Sequence, residues 1–167
     1  GREVIGKTGV TDVLCVFALV GMVMGSSSAI RQNDIRRMIA FSSVAQIGYI
    51  YMGIGLGTEA GMMAAMFHLF SHAVCKSMLF LAAGGLADAS GNSKLFRDLR
   101  GSGYRSPIAG VAFTIGALSM VGFPFLGGFA SKLNFALAAM ECGSIRVILV
   151  MGALAISTWL NVIYFLK

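Results

Sequence analysis

Five stretches of apolar side chains, each long enough to cross a bilayer, alternate along this chain with short polar connectors. A spanning helix needs roughly 20 mostly apolar residues, and the pattern predicts such helices at about 11–30, 37–57, 60–88, 107–139 and 144–166. Local signals agree with those limits. Thr11 and Asp12 offer N-cap oxygens to the first helix, and the glycines of "GIGLG" suit the end of the second. Pro107 stands in the first turn of the fourth, and Trp159 and Tyr164 serve as interfacial anchors near one end of the fifth. The expected fold is all-α: a polytopic membrane protein of about five transmembrane helices, forming one membrane domain over residues 1–167.

The fourth stretch is too long for one straight helix and carries "VGFPFLGGF" (121–129) in its middle. Pro124 removes a backbone donor and clashes with the preceding turn, and Gly127 and Gly128 relax the backbone that follows. Two half-helices joined by an unwound stretch are predicted there, a simple proline kink being the plainer alternative. Irregular backbone at membrane depth is tolerated only where protein or a watery cavity satisfies it.

Composition supports the membrane reading. Hydrophobic residues make up 57% of the 167, charged residues only 12%, and mean hydropathy is +0.82. A soluble domain carries about a quarter charged residues, and a chain this short has too much surface to hide the remainder. The net charge of +6 would suit nucleic acid only if the cations shared one surface. Instead they mark connectors. Arg31, Arg36, Arg37, Lys94, Arg97, Arg100, Arg105 and Lys167 fall on one side of a five-span topology, and Arg2, Lys7 and Arg146 on the other. That asymmetry assigns the loops at 31–37 and 94–105 to the cytoplasm, with the chain in a bacterial or archaeal cytoplasmic membrane. The 89–106 connector reads as a solvated loop with one amphipathic turn at Leu95, Phe96 and Leu99. Cys15, Cys75 and Cys142 stand alone and read as small apolar residues. The chain starts without Met and without a signal pattern, and is expected to be a piece of something longer. No nucleotide loop, catalytic triad spacing, flavin motif or iron–sulfur motif occurs. No cofactor, catalysis by this chain alone or nucleic-acid partner is therefore expected.

Chemistry concentrates in "MFHLFSHAVCKSMLF" (66–80). His68, His72 and Lys76 are spaced four residues apart, so on a helix they climb one face at about 6 Å per step, with Ser71 and Ser77 nearby. A lysine facing mid-membrane lipid costs roughly 2.5–3.5 kcal/mol on insertion scales, so the three are expected to face protein or water, as a proton relay. Interhelical hydrogen bonding is the bland alternative. A zinc pair is the other, since histidines at this spacing can ligate zinc, but no third ligand is near. Lys132 is a second cation inside an apolar segment, about one turn past the proline–glycine break and beside Ser131 and Asn134. Unwound segments are where transporters build ion sites; the alternative makes Lys132 a helix boundary. Asp88 and Glu141 fall at membrane edges, so no buried carboxylate is expected.

"NDIRRMIAFSSVAQIGYI" (33–50), "FHLFSHAVCKSMLFLAAGG" (67–85) and "GFPFLGGFASK" (122–132) occur in that order. Together they resemble the antiporter-like membrane subunits of respiratory complex I, membrane-bound hydrogenases and Mrp-type cation/proton antiporters. The resemblance implies two inverted five-helix repeats, each with a broken helix and a buried lysine, of which this chain matches the second. It implies that His68, His72 and Lys76 lie on a central proton-conducting axis and that Lys132 is the outlet lysine. The first repeat, its glutamate–lysine pair and a lateral C-terminal helix are absent from these residues. The implied function is proton or sodium/proton translocation within a respiratory or antiporter complex, alongside other membrane subunits. A structural scaffold without conduction is the rival, since small residues also pack membrane helices tightly.

Overall fold

The computed structural model describes residues 9–142 and 144–167, and their regular elements are all helical. Val10–Ile30 (α1), Ile35–Gly55 (α2) and Glu59–Ala89 (α3) follow one another through tight connectors. The short Ser102–Arg105 (α4) leads to Pro107–Val121 (α5) and Gly127–Met140 (α6), and Ser144–Phe165 (α7) ends the order. Among the described residues α1, α2, α3 and Val147–Phe165 of α7 are long and apolar enough to cross a membrane. α5 and α6 together fill the predicted fourth span. Arg2, Lys7 and the side chain of Arg146, assigned above to the second face, lie outside the described part.

The starts of the first three helices lie one or two residues upstream of expectation. α1 begins at Val10 behind Gly9, whose φ of 65° turns the chain, so Thr11 and Asp12 lie within the first turn rather than capping it. The Asp34 side chain accepts from the amides of Arg36 and Arg37 at 2.8 and 3.0 Å, which starts α2 two residues early. Thr58 caps α3 by accepting from Gly61 at 3.0 Å.

The bundle is built inside out relative to a soluble protein. Phe17, Phe70, Leu81, Ile108 and Ile148 are each exposed by two-thirds or more, while the interior carries a polar layer. Two apolar clusters are buried, one around Met38, Leu79 and Met120 and the other around Met22, Tyr49 and Phe135. Along four of the helices buried polar residues fall between the residues of those clusters: Ser26 on α1, Ser42 and Gln46 on α2, His68 on α3, and Ser157 and Asn161 on α7, while Ser131 on α6 lies beside the second cluster alone. Tyr164 is part of this interior at 1% exposure, which corrects its assignment as an interfacial anchor; Trp159 is exposed.

One end of the bundle is tied together by backbone. The Ile35 amide donates to Lys94 and the Phe96 amide to Asn33, each at 3.0 Å. Lys167 Nζ donates to the carbonyls of Ile30 and Gln32, both at 3.1 Å. The connectors at 31–34 and 90–106 and the last residue thus share a side. The longer connector is more than a solvated loop: Leu99 is buried, and Phe96 packs against the first cluster.

The break spans residues 122–126. α5 stops because Gly122 adopts φ 97°, and its amide and that of Phe123 fold back onto Leu118 and Ser119, a closure of the kind that glycine permits at helix ends. Gly127 and Gly128 do not relax the break as expected; they open α6. A Cβ on Gly128 would lie 1.6 Å from the Ser119 carbonyl oxygen, and one on Gly127 2.7 Å from Ser71 Oγ. Close approach of α6 to α5 and α3 is their physical reason. Gly128→Ala should therefore force the half-helices apart and cost at least the 1–3 kcal/mol typical of overpacking, very roughly. Thermal melting in detergent checks this, and an unchanged midpoint would contradict the contact.

Candidate functional site

The break creates the environment of Lys132. The last carbonyls of a helix have no amides ahead of them. Leu118 and Ser119 are satisfied by the amides of Gly122 and Phe123, which leaves Met120 and Val121. Lys132 Nζ, one turn into α6, donates to Val121 at 2.5 Å, to Met120 at 3.4 Å and to Thr158 Oγ1 of α7 at 3.0 Å. The negative end of the α5 dipole favours a cation at this place, and the Tyr49 ring lies 5.9 Å beneath it. Lys132 is no simple boundary residue.

On α3 the expected line forms but divides. His68 Nδ1 meets Ser131 Oγ at 2.5 Å, which pins the ring to α6. The His68 and His72 rings stack with centroids 5.9 Å apart, and His68 Nε2 and His72 Nδ1 are buried without a partner. His68, Ser71, His72, Gln46, Ser119 and Lys132 surround one cavity of about 10 Å³, space for the centre of about one water molecule. Lys76 does not line it. Its ammonium turns to α2, donating to the Ile39 carbonyl at 2.7 Å and to Ser42 Oγ.

The smaller residues divide likewise. Ser131 and Ser71 join the site. Ser77 is exposed and donates back to Ala73 at 3.0 Å, because one step round α3 from Lys76 faces outward. Asn134 is half-buried and lies off the cavity. Ser42, Gln46, Ser119, Thr158 and Asn161 were not singled out from sequence, although their polarity within apolar helices was a signal. Among the described residues no carboxylate is buried, so both amines are held by neutral oxygens.

This arrangement of a broken helix, an interior lysine and paired histidines coincides with a clear relationship. Residues 5–157 match the family described as NADH:quinone oxidoreductase/Mrp antiporter, TM. The chain belongs to that family. Within this antiporter family, NADH-quinone oxidoreductase subunit N of Desulforudis audaxviator (strain MP104C) is 38% identical over 156 residues, 93% of this chain and 30% of that protein. F(420)H(2) dehydrogenase subunit L of Methanosarcina mazei is 39% identical over 133 residues, 72% of this chain and 20% of that protein. Among solved structures, the membrane-bound sulfane sulfur reductase, an archaeal respiratory membrane complex, matches with a TM-score of 0.83 at 33% identity, covering 95% of this chain and 32% of that one. The Mrp complex from a Dietzia species matches at 0.77 and 29% identity, covering 93% and 28%. The chain spans about a third or less of the length of these antiporter-family relatives.

The hydrogen bond between His68 and Ser131 is open to test. Ser131→Ala should leave a buried imidazole nitrogen unpaired, a loss of about 1–3 kcal/mol. Thermal melting measures the cost, and the ¹⁵N imidazole shifts of His68 should change with it; unaltered shifts would show that the serine does not set the tautomer.

Proposed function

We propose that this chain is the second inverted repeat of an antiporter-like subunit and that it carries protons across the membrane through His68, His72, Lys76 and Lys132. One observation carries the reading: two histidines and a lysine converge on a water-sized cavity beside a broken helix, inside a bundle whose exterior is apolar. Polar groups kept at membrane depth against their cost mark ion pathways. Protons pass among His68, His72 and Lys132 around the cavity, with Lys76 as the donor behind them. Lys132 releases outward, because a neutral amine no longer needs the Met120 and Val121 carbonyls. Titrations of groups this close are coupled, so charge arriving from a neighbouring element changes which amine holds the proton.

The relatives named above are subunits of a quinone reductase, a dehydrogenase, a sulfur reductase complex and an Mrp complex, which supports partners as the energy source. Those partners are the first repeat of the same subunit and other membrane subunits, and the carried ion is the proton, with sodium exchange as the Mrp-like variant. The end tied together by residues 31–34, 90–106 and 167 faces the cytoplasm, since it holds eight of the basic residues and positive charge favours that side.

Lys76→Ala and Lys132→Ala, each made in the intact complex, should lower proton uptake by inverted vesicles by about 10²-fold or more, as loss of a proton-transfer group does, while the complex still assembles. Normal uptake in both would reject the relay and favour a scaffold, for which Lys→Met should be neutral or stabilising. For topology, Asn92→Cys should react with a membrane-impermeant maleimide in inverted vesicles and not in whole cells; the reverse would turn the chain over.

A further inference from the structure

The Lys76 ammonium donates to α2 rather than into the cavity, and the helices opposite supply another connection to Lys132. Ser42, Gln46 and Tyr49 stand at i, i+4 and i+7 on α2; Ser157, Asn161 and Tyr164 stand at the same spacing on α7. Each trio lies on one helix face about 10 Å long, and all six residues are 0–1% exposed. The faces oppose each other in antiparallel register. The Tyr164 hydroxyl lies beside Ser42 and Gln46, and the Tyr49 hydroxyl beside Ser157 and Thr158.

Both lysines end on this seam. Lys76 Nζ donates to Ser42 Oγ at one end. At the other, Lys132 Nζ donates to Thr158 Oγ1 at 3.0 Å. Between them the Tyr164 hydroxyl donates to Asn161 Oδ1 at 2.6 Å, and Asn161 Nδ2 donates at 3.2 Å to the same Met120 carbonyl that Lys132 approaches. Packing alone does not account for the rest of the set. Buried polar atoms in a structural network are paired, whereas Gln46 Nε2, the Tyr49 hydroxyl and Ser157 Oγ make no hydrogen bond of ordinary geometry, although the two hydroxyls lie close to each other. Groups of this kind take up water where there is room, and the small cavity reaches Gln46.

We propose that Lys76 and Lys132 exchange protons through this hydrated α2–α7 seam rather than by a direct step from Lys76 to His72. The Lys76 ammonium gives a proton to Ser42 Oγ or to water beside it. Ser42 releases its own hydroxyl proton toward Tyr164, and Tyr164 passes its own to water beside Gln46. That water passes one to Tyr49, and Tyr49 and Thr158 repeat the exchange until the Lys132 amine takes one up. Lys76 loses one proton, Lys132 gains one, and each hydroxyl is reset by rotation. Asn161 positions Tyr164 and the Met120 carbonyl and carries no proton itself.

The inference rests on the relay proposed above, and the test separates the two. Tyr49→Phe and Tyr164→Phe keep the ring volume and remove only the hydroxyls; Thr158→Val does the same for the last step. In the intact complex each should reduce vesicle proton uptake per assembled complex severalfold, and the tyrosine double variant by about tenfold or more. Each single variant should melt no more than about 10 °C below the parent, as the loss of one buried hydrogen bond allows, and uptake is therefore scored per assembled complex. Parental uptake in the double variant, or a loss that only tracks the amount of assembled complex, overturns the seam. If Lys76→Ala and Lys132→Ala still abolish uptake in that case, the relay stands without the seam; if both pump normally, the relay itself falls.

Discussion

An amine inside an apolar bundle must have oxygen around it, and the architecture of this chain follows from where those oxygens come from. Moving an ammonium out of water costs several kcal/mol, roughly, even after the protein relaxes. No buried carboxylate repays that cost among the described residues. Lys132 is held instead by carbonyls that exist only because α5 ends inside the span, and Lys76 by a carbonyl and a hydroxyl of α2. The helix break is thus the means by which a lysine is accommodated without a counter-charge. Oxygens of this kind hold the charged form and tolerate the neutral one, which is what a proton carrier requires.

Packing around the break is correspondingly tight. Gly122 turns the chain and leaves room for the Lys132 stem, whose atoms pack at 3.1–3.5 Å from where a side chain would begin. Gly128 brings α6 onto the Ser119 carbonyl. The polar layer lies between two apolar clusters on α1, α2, α3 and α7, and the cavity beside it is small. It has space for about one water molecule.

Much of this was legible in the residues. The series of apolar spans and the broken fourth one follow from hydropathy and one proline, and the inward placement of His68, His72, Lys76 and Lys132 from the expense of charge in lipid. The smaller polar residues were harder to rank. Ser77 and Ser131 look alike in sequence, each one step from a lysine, yet one faces outward and the other holds His68. A rotation of about 100° per residue decides between lipid and interior, and local pattern in an all-apolar helix leaves that rotation open. Tyr164 was misplaced for the same reason: aromatic hydroxyls suit both an interface and a buried network.

Apolar length, proline position and the cost of unsatisfied backbone are local quantities, and the sequence by itself determined through them that this chain crosses a membrane several times with one span interrupted. Only the tertiary structure decided what each interior cation meets. Lys76 joins α2 instead of its neighbour His72, and Lys132 joins α5 and α7, because a lysine side chain is long enough to select among several adjacent helices. Which helix supplies the oxygen depends on packing between segments far apart in the chain, and no spacing within one helix encodes that choice.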